Sequence, residues 1–109
     1  IKKNGKILIQ VPNINSLTSL ILKDKCTTFS GEQHVNFFSD ITLKKFLNKN
    51  NFKILSSETI ISDAGSVINY LSFNNLLKYR NNKSYPFVDS KFIHKNMLGY
   101  TLLVIAQKK

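Results

Sequence analysis

Two histidines and one cysteine are among the residues of this chain whose side chains could act as a base, a nucleophile or a metal ligand. His34 lies in a polar stretch, where an imidazole could serve as a general base or bind a substrate, or could instead anchor the loop by hydrogen-bonding backbone groups. His94 matches no pattern and is interpreted as a surface residue. Cys26 has no partner for a disulfide or a Cys-x-x-Cys site, and no signature of a cysteine nucleophile surrounds it, which favours a structural thiol. Since neither histidine has a clustered carboxylate or thiol partner, the sequence predicts no metal site.

A Pro-Asn pair that follows a strand pattern marks a second candidate site. Residues 6–11 form a short, β-branched apolar run that stops at Pro12 and Asn13. Open α/β sheets bind ligands at the carboxyl ends of their strands, so the Asn13 amide could hydrogen-bond a substrate or a cofactor. Alternatively, the pair only ends the strand and caps the next helix. Tyr70 lies in an aromatic helical stretch further along the chain, where it could contact a substrate or pack in the core.

The elements that must position these residues alternate between strand and helix patterns. Ser39 is a good N-cap, and Phe38 before it can pack on Leu43 as a hydrophobic staple, so a helix begins there and can end in a left-handed stop at Asn50 and Asn51. Further strands are predicted at residues 52–61 and 100–106, with helices at residues 14–22, 62–80 and 89–95, a loop at 23–33 and a polar turn at 81–86. The order is strand, helix, strand, helix, strand. This is an α/β pattern, and its apolar strands need cover on both faces.

The net charge of +10 arises from sixteen basic and six acidic residues, a balance that raises the hypothesis of a nucleic-acid or other anionic partner. Fifteen of the sixteen basic residues are lysines spread along the chain, whereas base and phosphate recognition favours arginine. We therefore interpret the charge as compositional drift and do not expect nucleic acid as a partner. The apolar runs are far shorter than the roughly 18 residues that cross a bilayer, so no membrane span is predicted. The single cysteine favours a reducing, cytoplasmic setting.

Several of these segments, taken in order, resemble the distal part of class I S-adenosylmethionine-dependent methyltransferases, in the group that acts on small molecules. Residues 4–13 (NGKILIQVPN) are similar to that family's glycine turn, fifth strand and strand-end Pro-Asn. Residues 34–39 (HVNFFS) are similar to its His-x-x-x-Phe-Ser loop, and residues 43–52 to the helix and Gly-Phe pair before the sixth strand. Asn51 stands where the family usually has Gly, and asparagine also tolerates a left-handed conformation.

The resemblance implies a partial Rossmann-like sheet, made of the distal three strands and flanked by helices. In that sheet the final strand runs antiparallel and inserts between the strands at residues 6–11 and 52–61. The family's Gly-rich cofactor loop and its ribose-binding acid belong to earlier strands, and the four isolated glycines of this chain form no G-x-G-x-x-G. We therefore expect residues 1–109 to be the C-terminal portion of a methyltransferase domain whose cofactor-binding N-terminal half is absent.

The resemblance also implies S-adenosylmethionine as the cofactor of the full-length parent and a small-molecule or sugar-like metabolite as the methyl acceptor. Pro12 and Asn13 would contact only the rim of the cofactor, while Asn13, His34 and Tyr70 would bind the substrate. The chain alone is expected to bind no cofactor and to be inactive. Expected partners are the missing N-terminal half and a second copy, paired through the open edge of the first strand. The competing hypothesis is a non-catalytic basic α/β module that binds RNA or another polyanion.

Overall fold

Three strands and four α-helices make up the described part of the fold. The computed structural model describes residues 1–32, 34, 36–73 and 89–109. The elements are β1 (Lys6–Pro12), α1 (Leu17–Leu22), α2 (Asp40–Lys49), β2 (Phe52–Ile60), α3 (Ala64–Phe73), α4 (Ser90–Lys95) and β3 (Thr101–Lys108), with single 3-10 turns at Lys23–Lys25 and Thr27–Phe29. The polar turn predicted at residues 81–86, and the last turns of the helix predicted to reach residue 80, lie outside the described residues.

The three strands form one sheet in the order β1-β3-β2. β3 is antiparallel to both neighbours, so β1 and β2 run parallel to each other on either side of it. The register pairs Ile9 with Val104 on one side and Thr59 with Leu102 on the other. This order confirms that the last strand is inserted between the other two. The chain is thus a small α/β fold with a three-stranded antiparallel sheet flanked by helices.

Local side-chain chemistry begins and ends α2 at the predicted residues. The Thr42 amide donates to Ser39 Oγ at 3.2 Å, and the Ser39 amide donates to Thr42 Oγ1 at 2.9 Å, which is a capping box. Phe38, just before the cap, packs against the cluster that contains Leu43, as the staple predicts. After the helix, Asn51 adopts a φ of 62°, and β2 begins at the next residue. The left-handed stop is therefore confirmed.

One face of the sheet carries the core, whereas two leucine side chains of the sheet are exposed to solvent. Leu43 and Leu47 of α2 are 2 % exposed and pack on three fully buried β3 residues: Leu102, Val104 and Ala106. Strand side chains alternate between faces, so Leu8, which lies between two residues of this core, points to the opposite face. Leu8 is 66 % exposed there, and Leu55, at a bulge in β2, is 42 % exposed. Cover on both faces was predicted, and the described residues provide it fully on one face only.

A second apolar cluster packs α1, α3 and α4 together. Its buried members are Leu22, Cys26, Val67 and Ile93. Cys26 is 2 % exposed and unpaired, which agrees with its interpretation as a structural thiol. Since α1 follows β1, α3 follows β2 and α4 precedes β3, this cluster lies at the edge of the sheet where β1 and β2 end. It fixes the segments that surround that edge.

The conformation of Asn51 generates the first prediction. Asn51→Ala should lower the free energy of unfolding by about 1 kcal/mol, because a left-handed conformation costs a residue with a Cβ roughly 1–2 kcal/mol and alanine has no amide to offset it. Asn51→Gly is the matched control and should be neutral or slightly stabilising. Urea unfolding followed by circular dichroism measures both. Equal losses in the two variants would show that the Asn51 side chain, and not its φ angle, matters.

Candidate functional site

The carboxyl ends of β1 and β2 meet the amino end of β3 at one edge of the sheet, here called the carboxyl edge. Two backbone hydrogen bonds cross this edge. The backbone amide of Asn13 donates to the Tyr100 carbonyl at 2.9 Å, and the backbone amide of Tyr100 donates to the Ile61 carbonyl at 2.7 Å. The residues that follow the two parallel strands are thereby tied to the residue before β3. Open α/β sheets bind their ligands at this kind of edge.

Asn13 is held by its own side chain as well as by its backbone. The side chain is 2 % exposed, and Nδ2 donates to the carbonyls of Met97 at 3.0 Å and Gly99 at 2.9 Å. Oδ1 accepts from the Asn15 amide at 3.1 Å. Both amide hydrogens are therefore used within the chain. The helix cap itself is Ser16, whose Oγ accepts from the Ser19 amide. These contacts favour a structural role for Asn13, and its contact with substrate or cofactor stays a prediction.

A cluster of three residues, Gly99 and Thr59 buried and His94 half-buried, lies beside Asn13. The Gly99 amide donates to Thr59 Oγ1 at 3.2 Å, and Thr59 Oγ1 lies 2.9 Å from His94 Nδ1. The direction of the second hydrogen bond follows the imidazole tautomer. A Cβ on residue 99 would lie only 2.5 Å from the Cβ of Thr59 and 2.9 Å from His94 Nδ1. Close packing at this point therefore requires glycine.

His94 differs from its interpretation as a surface residue. It is half-buried in the last turn of α4, and its ring contacts β2 through Thr59. The sequence contained no signal for this contact, because the two residues are 35 positions apart and α4 is a single six-residue helix. The sequence also did not identify Gly99 and Thr59 as members of this cluster. A lone glycine before an apolar strand does not reveal which side chain will approach it.

A small cleft of about 220 Å³ lies between the end of β1 and the start of α2. Its lining includes Asn13, Met97 and Asp40. The Asp40 carboxylate is held from both sides, because Ser57 Oγ donates to Oδ1 and Lys44 Nζ donates to Oδ2 at 2.8 Å. The ion pair with Lys44 is an i, i+4 pair within α2, and its side chains are 38 % and 25 % exposed. The cleft therefore presents a fixed carboxylate close to the predicted Asn13 site.

A larger cleft of about 740 Å³ lies at the end of β2 and the beginning of α3. Two of its lining residues have left-handed backbones, Ile61 with a φ of 59° and Asp63 with a φ of 48°. Isoleucine is β-branched, so this conformation is a genuine outlier with a cost of order 1–3 kcal/mol. The hydrogen bond from Tyr100 fixes the Ile61 carbonyl, and Ser66 Oγ donates to Asp63 Oδ1 at 2.8 Å. Such strain clusters at ligand sites, so this cleft is the candidate binding site.

The other predicted site residues are distributed around the carboxyl edge. Pro12 is half-buried and pairs with Thr101 at the end of β1. Tyr70 is half-buried, packs against the second apolar cluster and lies under Lys25, whose Nζ is 5.1 Å from the ring centroid. It directly follows Asn69, which lines the larger cleft. His34 is half-buried in the segment before α2, and its two chain neighbours lie outside the described residues. The substrate contacts of Tyr70 and His34 stay predictions.

The described residues contain neither a cluster of metal ligands nor a membrane-spanning helix. Among the described residues, no three His, Cys, Asp or Glu side chains converge on a point where they could hold a metal ion. No described helix combines the length and the apolar character that crossing a bilayer requires. Comparison with protein-family models, with curated proteins and with solved structures found no match.

Asn13 generates the second prediction. Asn13→Ala should lower the free energy of unfolding by about 2–6 kcal/mol, because it leaves one part-buried and one buried carbonyl without their donor, at about 1–3 kcal/mol each. Asn15→Ala removes a side-chain amide of the same kind from an exposed neighbour and should lower the free energy of unfolding by less than about 0.5 kcal/mol. Chemical denaturation measures both. If the two variants lose the same small amount, Asn13 does not hold the carboxyl edge, and its amide is free for a ligand.

Gly99 generates the third prediction. Gly99→Ala should destabilise the fold by about 1–3 kcal/mol or more, because the new methyl group overlaps Thr59 and His94. Gly31→Ala is the control, since a Cβ there meets nothing within 4 Å and only its φ of 79° opposes the change. Thermal unfolding of both variants gives the comparison. A Gly99→Ala protein as stable as the parent would show that the contact between β2 and residue 99 is loose.

Proposed function

We propose that this chain is the distal, substrate-side part of a class I S-adenosylmethionine-dependent methyltransferase, which methylates a small-molecule or sugar-like metabolite. The observation that carries the proposal is the strand order, with β3 inserted antiparallel between the parallel strands β1 and β2. That order is what the family resemblance implies for these segments. It occurs here together with Pro12-Asn13 at the end of β1 and the Ser39-capped start of α2.

The open edge and the exposed face of the sheet also support the proposal that this chain is part of a larger domain. β1 lies at one side of the sheet, and none of the described strands pairs with its outer edge. An open edge offers unpaired amides and carbonyls to another strand, and the face that bears Leu8 offers apolar surface to a helix. The proposed cofactor-binding half would cover both. A second copy of the chain is the alternative partner for the same edge.

The carboxyl edge would supply the substrate side of the reaction. Methyl transfer needs the acceptor atom in line with the sulfonium methyl, and the protein contributes mainly proximity and orientation. The larger cleft, with its fixed Ile61 and Asp63, provides a rigid place for the acceptor, and the Asp63 carboxylate can accept a hydrogen bond from a hydroxyl or amine. Tyr70 and His34 remain the predicted substrate contacts beside it.

The cofactor itself would be held by the other half. S-adenosylmethionine supplies the methyl group, and its adenine and ribose need a glycine-rich loop and an acidic residue that follow earlier strands of the sheet. The four glycines of this sequence are isolated from one another. Pro12 and Asn13 lie at the end of β1, where they would contact the rim of the cofactor and no more.

The fourth prediction tests the division between the two halves. The 109-residue chain should show no saturable binding of S-adenosylhomocysteine in the micromolar range, because the loss of most donors and the adenine slot reduces micromolar binding to millimolar or weaker. Isothermal titration calorimetry measures this directly. The same titration on the product of the surrounding open reading frame should show micromolar binding, and that product should transfer a labelled methyl group.

Two outcomes would contradict the proposal. Micromolar binding by the 109-residue chain alone would mean that the segment is misplaced within the enzyme or that the family is wrong. An open reading frame that lacks a strand followed by a glycine-rich loop upstream of Ile1 would also oppose methyl transfer. The unfolding midpoint of the chain, measured in parallel, shows that a negative titration comes from a folded protein.

A further inference from the structure

Lysines that are far apart in the sequence meet at the end of the sheet opposite the carboxyl edge. We call this end the basic pole, and its lysines are Lys2, Lys3, Lys6, Lys49, Lys53, Lys108 and Lys109. The pole joins the turn before β1, the end of α2, the start of β2 and the end of β3. Lys108 is half-buried, and the other six lysines are exposed. The sequence alone shows three separate groups of lysines, which the fold brings together.

Backbone contacts establish that these groups are neighbours. The Asn4 amide donates to the Lys108 carbonyl at 2.9 Å, and the Lys109 amide donates to the Asn51 carbonyl at 2.9 Å. Gln107 pairs with Lys6 on one side and with Lys53 on the other. Adjacent strands are about 4.8 Å apart, so the backbones of Lys6 and Lys53 are only about 10 Å apart. Both exposed ammonium groups extend from the same face of the sheet.

The basic pole contains no Asp or Glu side chain. The nearest acids along its elements are Asp40, nine residues before Lys49 on α2, and Glu58, five residues after Lys53 on β2. These separations are about 14 Å at 1.5 Å per helical residue and roughly 16 Å at 3.3 Å per strand residue. Both exceed the Debye length of about 8–10 Å at physiological ionic strength. The positive potential of the pole is therefore not neutralised by the acids of the chain.

The uncharged residues of the pole are mostly amides. Its lysines alternate with Asn4, Asn48, Asn50, Asn51 and Gln107. Lysine ammonium groups and amide side chains are the groups that contact phosphate and sugar in nucleic-acid complexes. A surface for anionic membranes would instead present a continuous apolar or aromatic face between its lysines. Two apolar side chains near the pole are exposed, Ile1 beside Lys2 and Leu8 on the same strand face as Lys6. Phe52, the aromatic residue of the pole, is half-buried beneath Lys108, whose Nζ is 4.9 Å from the ring centroid.

We propose that the basic pole binds the phosphate backbone of nucleic acid, without reading its sequence. Lysine acts as a flexible point charge toward phosphate, and the pole offers no arginine fork that could recognise a base. The surface lies at the amino ends of β1 and β2, at the opposite end of the sheet from the two clefts. Binding by the 109-residue chain therefore does not depend on the methyltransferase proposal, and either can fail alone.

The fifth prediction uses fluorescence anisotropy with a fluorescein-labelled oligouridylate. The parent chain should bind the probe, and the logarithm of its affinity should fall linearly with the logarithm of salt concentration. The pole variant Lys6→Gln/Lys53→Gln should bind about fivefold or more weakly at low salt, with a salt slope that is smaller by about 1.4, since each phosphate contact on a single strand contributes about 0.7.

The matched control is Lys91→Gln/Lys95→Gln, which removes two exposed charges of α4 and leaves the pole intact. Its affinity should stay within about twofold of the parent. Equal losses in the two variants would overturn the proposal, because binding would then follow net charge alone. Absence of salt-dependent binding by the parent, or binding only to vesicles that contain phosphatidylserine, would overturn it as well. Unchanged circular dichroism spectra of both variants exclude an effect of unfolding.

Discussion

The side-chain amide of Asn13 is the interaction on which the carboxyl edge depends. Its two donors hold the carbonyls of Met97 and Gly99, so the end of β1 fixes the turn from which β3 starts. β3 pairs with both other strands, and the whole sheet therefore relies on the direction in which β3 leaves that turn. A buried amide with both hydrogens satisfied defines that direction, because any displacement leaves polar groups unpaired in a dry place.

Close packing transmits this constraint to β2. Gly99 lies against Thr59, and Thr59 in turn contacts His94, so the second parallel strand and α4 are positioned by the same turn. The next residue, Tyr100, holds the strained Ile61 at the mouth of the larger cleft. The strained conformation persists because several neighbours determine it, which gives the cleft a fixed shape before any ligand enters. The proposed methyl transfer would require such a rigid site to align its acceptor.

The two ends of the sheet have different electrostatic character. The carboxyl edge carries fixed carboxylates, Asp40 and Asp63, among polar groups that hydrogen-bond them. The basic pole carries seven lysines and no Asp or Glu side chain. If both proposals hold, one end of the molecule aligns a small acceptor while the other retains the protein on a polyanion. Salt would weaken binding at the second site, because a polyanion releases counterions when it binds lysines.

The sequence by itself determined the strands, because each is a short apolar run closed by turn residues. It also determined the capped start of α2 and its left-handed stop at Asn51, because these depend on contacts between residues three or four positions apart. The inserted position of β3 followed from the resemblance of ordered segments. Only the tertiary structure decided the contacts of Asn13, whose partners lie 84 and 86 positions away, and the burial of His94 against Thr59. It also decided that dispersed lysines form one surface. The physical reason is that local patterns specify on which face of a strand or helix a side chain lies. Strand register and the order of strands in the sheet specify which distant residues that side chain contacts.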